Sequence, residues 1–146
     1  MIDPRQPRFG QAITGLVLLV GYLISFTPAI AAIAVVLAAA SVGGPRLNLY
    51  AHLYPRFARL VRLGAPSELE EAGPPRFANT VGFVVTTVAS VLALTGLTTA
   101  AWVLALVVSS LALLAAVTGL CVGCELYVLG RRLLAGEGRS IRQTGE

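Results

Sequence analysis

Charged side chains are absent from two long stretches of this chain. Residues 9–42 and 77–123 contain no Asp, Glu, Lys, Arg or His and consist mainly of Ala, Val, Leu, Ile and Gly. A membrane-spanning helix needs only about 20 predominantly apolar residues, so each stretch has room for two short spans. The pattern therefore predicts two pairs of membrane helices with a charged segment between them.

Turn signals divide each stretch once. In the first stretch, Pro28 lacks an amide hydrogen and favours the first turn of a new helix. In the second, Thr95-Gly96 and Thr98-Thr99 are weak helix formers. The predicted spans are Phe9–Ser25, Pro28–Val42, Phe77–Leu94 and Thr99–Leu120. The predicted fold is an all-α membrane protein with four transmembrane helices in two tandem hairpins.

The segment between the hairpins has a different, amphipathic pattern. From Leu47 to Leu63, apolar residues recur at helical spacing on one face, and the opposite face is polar and basic. We expect an interfacial helix on the cytoplasmic side, with Tyr50 and Tyr54 at headgroup depth facing lipid. Its arginines are expected to face anionic lipid, namely Arg56, Arg59 and Arg62. His52, on the polar face, is expected to be solvated.

Composition and charge agree with a membrane protein and add its orientation. The chain is 56% hydrophobic and only 12% charged, with a mean hydropathy of +0.81. All the basic residues lie at the two ends or between the hairpins, and the two hairpin turns carry none. The positive-inside rule then places both termini in the cytoplasm of a bacterial plasma membrane. No nucleic-acid partner is expected.

The two halves of the chain resemble each other. Pro7-Arg8-Phe9 precedes the first hairpin and recurs as Pro75-Arg76-Phe77 before the second. This favours a single domain, residues 1–146, built as a tandem repeat of residues 7–63 and 75–134. Coincidence in a low-complexity apolar chain stays an alternative, because a third Pro-Arg-Phe occurs at Pro55-Arg56-Phe57.

The two cysteines are the candidate chemical groups. Cys121 and Cys124 are three residues apart, so on a continuous helix they share a face with Glu125 at the cytoplasmic end of the fourth span. The negative end of the helix dipole and Glu125 would both disfavour a thiolate, which predicts a pKa at or above about 8.5. The pair would then act as an acceptor or relay. Packing residues beside glycines are the alternative.

Other sites are weaker. A structural metal site needs about four ligands, which this chain does not supply near one another, so neither a metal nor a cofactor is expected. On the third span, Asn79, Gly82, Thr86 and Ser90 form a small, weakly polar face. Such faces usually mark close helix packing, and a path for a small polar solute is the alternative.

Three motifs together resemble a family of small bacterial membrane proteins catalogued as a domain of unknown function. They are Pro7-Arg8-Phe9, Pro74-Pro75-Arg76-Phe77 and Cys121-Val122-Gly123-Cys124-Glu125-Leu126-Tyr127, the last matching a Cys-x-Gly-Cys-x-x-Tyr pattern. The resemblance covers nearly the whole chain. It implies four spans and an association with thioredoxin-like and rhodanese-type proteins, and hence thiol redox or sulfur handling at the membrane.

The leading hypothesis is a membrane-embedded thiol protein. It would exchange electrons or a sulfane sulfur with a cytosolic thioredoxin-like or sulfurtransferase partner through Cys121 and Cys124, with Glu125 modulating their reactivity. The first alternative is a small oligomeric permease for a sulfur species, with the cysteines at its inner mouth. The second is a structural membrane subunit without chemistry. Whether the protein is an enzyme stays open, and a homo-oligomer is compatible with each hypothesis.

Overall fold

The computed structural model describes residues 2–65, 69 and 71–143, and every element among them is a helix. The helices are α1 (Arg5–Leu23), α2 (Pro28–Val42), α3 (Gly44–Leu47), α4 (Leu49–Leu60), α5 (Gly73–Leu94), α6 (Thr98–Thr118) and α7 (Val122–Gln143). The all-α prediction is confirmed. α1 with α2, and α5 with α6, form two helical hairpins, as the sequence pattern predicted.

Both hairpin turns lie where the sequence indicated. After α1, Ser25 has a φ of 55°, and the amide of Phe26 donates to the carbonyl of Gly21 over 2.7 Å. After α5, Gly96 has a φ of 88°, and the amide of Leu97 donates to the carbonyl of Leu92 over 2.9 Å. These bonds close the last helical turns and satisfy carbonyl groups that a helix end leaves without partners.

The hairpins pack against each other with α1 on α6 and α2 on α5. Leu18, Ile30, Ala89 and Ala105 are fully buried between them. α1 and α6 approach closely at Gly15, whose carbonyl accepts a hydrogen bond of 2.7 Å from the buried Ser109 hydroxyl. Small residues at a helix interface allow such close approach, and the hydroxyl bond adds to it.

Two helices are long and apolar enough to cross a membrane, namely α5 with 22 residues and α6 with 21. α2 is apolar but has only 15 residues. α1 has 19 residues, but its first turn contains Arg5 and Arg8 and lowers its mean hydropathy. Among the described residues, two helices and not the predicted four thus have the length and apolar composition of a membrane span.

The orientation of α4 differs from the prediction. Tyr50 and Tyr54, expected to face lipid at headgroup depth, are only 4% and 7% exposed. The Tyr50 hydroxyl lies 2.6 Å from that of Thr14, and the Tyr54 hydroxyl donates to Asp3 over 2.8 Å. The apolar face of α4 thus covers the N-terminal part of α1, because the polar partners of the two tyrosine hydroxyls, Thr14 and Asp3, lie there. An argument from amphipathicity alone does not identify these partners. Phe57 also packs on this part of α1, with its ring 4.9 Å from that of Phe9.

The two halves make matching contacts. The Arg76 guanidinium donates to the carbonyl of Ser41 near the end of α2 over 3.1 Å, and Arg8 lies against Gly119 at the end of α6. Aromatic contacts match as well. The ring centroids of Phe9 and Tyr54 lie 5.9 Å apart, and those of Phe77 and Tyr127 lie 5.7 Å apart. A tandem repeat would produce such pairs, although the repeat itself stays a prediction.

Candidate functional site

The chain breaks its helical path just before the cysteines. α6 ends at Thr118, and Gly119 follows with a φ of 77°, a left-handed conformation that favours glycine. The amide of Gly119 donates to the carbonyl of Ala115 over 2.9 Å and closes the helix. A new helix, α7, then begins at Val122. Cys121 therefore immediately precedes a helix N-terminus.

The sulfur of Cys121 is surrounded by hydrogen-bond donors. They are the thiol of Cys124, the backbone amides of Cys124 and Gly123, and the side chain of Gln11. The bond from the Cys124 thiol is the largest influence, and with the other donors it outweighs partial burial and lowers the pKa of Cys121 to about 6. Backbone amides and dipole at a helix N-terminus favour a thiolate in the same way.

This geometry reverses the predicted chemistry of the pair. A continuous helix would have placed both sulfurs at a negative helix end, with a pKa at or above about 8.5. The break at Gly119 places Cys121 at the positive end of α7 instead. The signal was present in the sequence, since glycine after an apolar helical run is a common C-terminal cap. The hydrogen bonds to the Cys121 sulfur therefore lower its pKa, whereas a continuous helix predicted an ordinary or raised one.

Cys124 and Glu125 lie in the first turn of α7. Cys121 and Cys124 form no disulfide, and both are partly buried. Glu125 is exposed, and its backbone amide donates to the carbonyl of Cys121 over 3.0 Å. Further along α7, Arg131 lies 3.4 Å from Glu71 and 5.9 Å from the ring centre of Tyr127. The pair thus sits between the bundle and an exposed, charged segment.

The first half of the chain contains the same cap with a different residue. Asn48 precedes α4, and its side-chain oxygen accepts from the amides of Tyr50 and Ala51 over 3.0 and 3.3 Å. Cys121 accepts from the amides two and three residues ahead in the same way. An N-cap position selects a hydrogen-bond acceptor. A sulfur at such a position is stabilised as an acceptor, which means as a thiolate.

A cavity of about 240 Å³ lies beside Cys121, between the two hairpins and the start of α7. Its wall contains the side chains of Gln11, Thr14 and Asn79 among mostly apolar residues. Gly82 lines it as well. The hydroxyls of Thr86 and Ser90, which complete the predicted polar face, bond to carbonyls of their own helix over 2.7 to 3.2 Å. The polar face therefore reaches the cavity at Asn79 and does not continue as a path.

The other predicted site residues lie apart from the cysteines. Arg56, Arg59 and Arg62 are exposed on and just beyond α4, as an interfacial role requires. The His52 ring lies 2.8 Å from the carbonyl of Arg46. Within the part of the chain that the structure describes, no three His, Cys, Asp or Glu side chains are grouped to hold a metal ion.

A family model covers residues 2–132, which include the cysteine pair, the cavity and both hairpins. The chain belongs to the DUF4395 family, a domain of unknown function. The expected membership of an uncharacterised family is thereby confirmed. The DUF4395 chain matches none of the curated proteins and none of the solved structures. Because the family description supplies no activity, the function of this DUF4395 protein has to be inferred from the thiol pair and the cavity beside it.

Proposed function

We propose that this protein is a membrane-embedded thiol protein. It exchanges electrons or a sulfane sulfur with a cytosolic thioredoxin-like or sulfurtransferase partner through Cys121 and Cys124. The observation that carries the proposal is the position of Cys121 at the N-terminus of α7, where four donors hold its sulfur as a thiolate. The thiolate is the reactive form of cysteine in both chemistries.

The exposed surface of the bundle supports a membrane setting. Only 11% of the apolar window of α5 and 28% of that of α6 are buried inside the protein. Large side chains such as Val84, Leu94 and Val117 are 54%, 88% and 84% exposed. A soluble protein would bury such helices in its core, whereas hydrocarbon is their ordinary solvent in a bilayer. In that setting α1 and the apolar α2 complete four spans, with Arg5 and Arg8 at the start of α1 and Arg46 after α2 at the membrane boundary.

The lowered pKa of Cys121 also sets the direction of exchange. A stabilised thiolate favours the reduced form of the pair, so the disulfide form readily accepts electrons from another dithiol. It also makes Cys121 a good leaving group when a partner thiolate attacks Cys124. For sulfur transfer, the same thiolate would attack the outer sulfur of a donor persulfide, break its sulfur–sulfur bond, release the donor as a thiolate and carry the sulfur as Cys121 persulfide. The acceptor role predicted from the sequence is thus retained, for a different physical reason.

Two experiments with purified protein in nanodiscs distinguish electron exchange from sulfur transfer. Equilibration with glutathione redox buffers should oxidise and reduce the wild-type pair reversibly, and Cys124→Ser should stop at a mixed disulfide on Cys121. Incubation of Cys124→Ser with glutathione persulfide tests sulfur transfer, and cyanide-releasable sulfur on Cys121 is its readout. Cys121→Ser should show neither product.

A packing role predicts the opposite pattern. Both thiols would then resist alkylation in the folded protein, neither glutathione product would form, and the Cys121→Ser/Cys124→Ser protein would lose stability. That combination would contradict the proposal and leave the structural alternative. The permease alternative would need a polar path through the protein. Among the described residues, the Thr86 and Ser90 hydroxyls do not form one, because they donate to carbonyl groups of their own helix.

A further inference from the structure

The residues around the cavity beside Cys121 have counterparts in the first half of the chain. Each half contains one phenylalanine–tyrosine ring contact, in which Phe9 matches Phe77 and Tyr54 matches Tyr127. In that register Gly10 corresponds to Ala78, Thr14 to Gly82, and Tyr50 to Gly123. Tyr50 packs its ring on Gly10 and bonds its hydroxyl to Thr14. In the second half, Ala78, Gly82 and Gly123 instead line the cavity.

The two halves differ at the position of Tyr50. The first half fills this position with a six-membered ring that carries an oxygen at its far end. The second half has Gly123 there, packed directly on Ala78, and a cavity of about 240 Å³ lies beside it and is also lined by Cys121. We propose that this cavity binds the ring of a lipid-soluble quinone and that Cys121 and Cys124 reduce it. The inference rests on the proposed electron exchange and names the acceptor of those electrons.

The route into the cavity suits a ligand dissolved in the bilayer. Several side chains that line it are also 43% to 56% exposed, and all of them are apolar: Val81, Val107, Leu111, Val122 and Leu126. A charged or strongly hydrated ligand would meet no polar group there. A quinone, whose ring is apolar between two carbonyl oxygens, can pass from the hydrocarbon into the cavity.

Polar groups inside the cavity match the quinone oxygens. Gln11 and Asn79, which occupy corresponding positions in the two halves, both line it. The Asn79 side chain lines the cavity, and its amide can donate to a ligand carbonyl. Gln11 donates a hydrogen bond to the sulfur of Cys121 and also lines the cavity. A few placed polar groups in an apolar cavity are the usual design of a small-molecule site.

The reaction balances as a two-electron exchange. The Cys121 thiolate adds to the quinone ring, which forms a carbon–sulfur bond and places the electron pair on the ring, with a proton taken up at one oxygen. Cys124 then attacks the sulfur of Cys121, so the disulfide forms and the carbon–sulfur bond breaks. The second oxygen takes the proton that the Cys124 thiol loses. In sum, two thiols and one quinone give one disulfide and one quinol.

The primary test uses the full-length protein in nanodiscs, pre-reduced and freed of reductant, with decylubiquinone as the probe. Wild type should form one quinol per protein and lose both free thiols in the same time course. Cys124→Ser should form no quinol but show the new visible absorbance of a thiolate–quinone complex. Added quinone should also slow alkylation of Cys121 in wild type.

A cavity-filling variant separates this inference from the proposed function. Ala112→Phe places a ring inside the cavity, and Ala32→Phe places the same ring at an exposed position of α2. Ala112→Phe should reduce quinone at least tenfold more slowly while its thiols still exchange with glutathione, and Ala32→Phe should match wild type.

Two results would overturn the quinone site. In the first, the wild-type thiols exchange with glutathione but form no quinol, and added quinone does not protect them from alkylation. This result would follow if a lipid acyl chain fills the cavity. The other is an Ala112→Phe variant that folds and reduces quinone at the wild-type rate. Loss of glutathione exchange in wild type itself would instead refute the proposed function.

Discussion

At the scale of single residues, the chemistry of this site depends on which atom donates to the sulfur of Cys121. Its strongest donor is the thiol of Cys124, followed among donors by two backbone amides. The sign of the effect is the same for each, because a hydrogen bond to the charged form stabilises the thiolate. The two cysteines are therefore unequal, because the Cys124 thiol donates and the Cys121 sulfur accepts the hydrogen bond between them.

Alkylation of Cys121 by iodoacetamide should therefore rise with pH around a midpoint of about 6. Cys124→Ala removes the main donor and should move the midpoint upward, towards the ordinary thiol value of about 8.5. Cys124→Ser is the matched control, since its hydroxyl still donates and should hold the midpoint lower than alanine does. A wild-type midpoint near 8.5 would contradict the N-cap geometry.

The thiolate also links stability to pH. A group whose pKa is lowered by folding stabilises the folded state above its unfolded pKa, and this contribution is lost as pH falls through the folded value. The reduced protein should thus become less stable as the pH falls from about 8.5 to the folded pKa of about 6. Unfolding midpoints across this range check the prediction, and Cys121→Ala should flatten the dependence. An equally steep dependence in Cys121→Ala would assign it to other groups.

Gly119 is the second residue that decides the site, because its left-handed backbone ends α6 and lets α7 begin. Gly119→Ala should cost about 1 kcal/mol or more in stability from backbone strain alone. Its added methyl group would also meet Arg8. The variant should in addition shift the alkylation midpoint of Cys121 upward, since the start of α7 must move.

Gly96→Ala is the matched control for Gly119. Gly96 has a similar φ of 88°, but nothing lies near its missing side chain. It should show a comparable loss of stability, measured by denaturant unfolding in micelles, with an unchanged alkylation midpoint. If both variants leave the midpoint unchanged, the break at Gly119 does not control the acidity of Cys121.

At the scale of helices, the sequence predicted the hairpins closely. Pro28 begins α2 as expected, and Gly96 lies in the turn between α5 and α6. These signals are local, because they act through backbone conformation at one position. The break after α6 carried a similar local signal in Gly119, but the apolar run continues to Gly123, and periodicity alone extended the span through it.

The partner of α4 could not be predicted in the same way. An amphipathic face indicates that a helix covers something apolar, but not whether that is lipid or protein. Here α4 packs on protein because Thr14 and Asp3 form hydrogen bonds with the hydroxyls of its two tyrosines. Both residues are far from those tyrosines in the sequence. The cavity was equally hidden, because the residues that line it come from helices that are far apart in the sequence. Long-range complementarity of this kind has no local signal.

The docking of α4 makes a stability prediction. Tyr50→Phe keeps the ring but removes the hydroxyl that bonds to the buried Thr14, so unfolding should become easier by about 1 kcal/mol. Tyr22→Phe is the control, since Tyr22 is 45% exposed and should change stability little. Denaturant unfolding in micelles measures both. Equal effects from the two variants would mean that α4 does not rest on α1 as described.

At the scale of the whole molecule, charge is gathered at one end of the bundle. Arg8 meets the end of α6, Arg76 meets the end of α2, and the arginines of α4 are exposed nearby. The two hairpin turns at the other end carry no charged residue. The site beside Cys121 lies at the charged end, because Gly119 and Arg8 are in contact. The proposed cytosolic partner and the proposed lipid-soluble acceptor would therefore reach the same thiol pair from different sides.

The exposed arginines should attract anionic lipid, at about 1 kcal/mol for each charge near the surface. Wild type should be more stable in phosphatidylglycerol nanodiscs than in phosphatidylcholine ones. Replacing Arg56, Arg59 and Arg62 by Gln should remove most of that difference, and replacing them by Glu should reverse it. A lipid dependence that survives the Glu substitutions would place the anionic contact elsewhere on the protein.

The charge distribution also predicts topology, with the charged end in the cytoplasm and both hairpin turns outside. In a Cys121→Ser/Cys124→Ser background, single substitutions Ser25→Cys and Thr95→Cys should react with an impermeant maleimide added to intact cells, because both positions lie in or beside the hairpin turns. Glu71→Cys should react only after the membrane is opened. Labelling of Glu71→Cys from outside would show that the protein has the opposite orientation in the membrane. Cys121 would then face an oxidising compartment, and a cytosolic partner could not reach it.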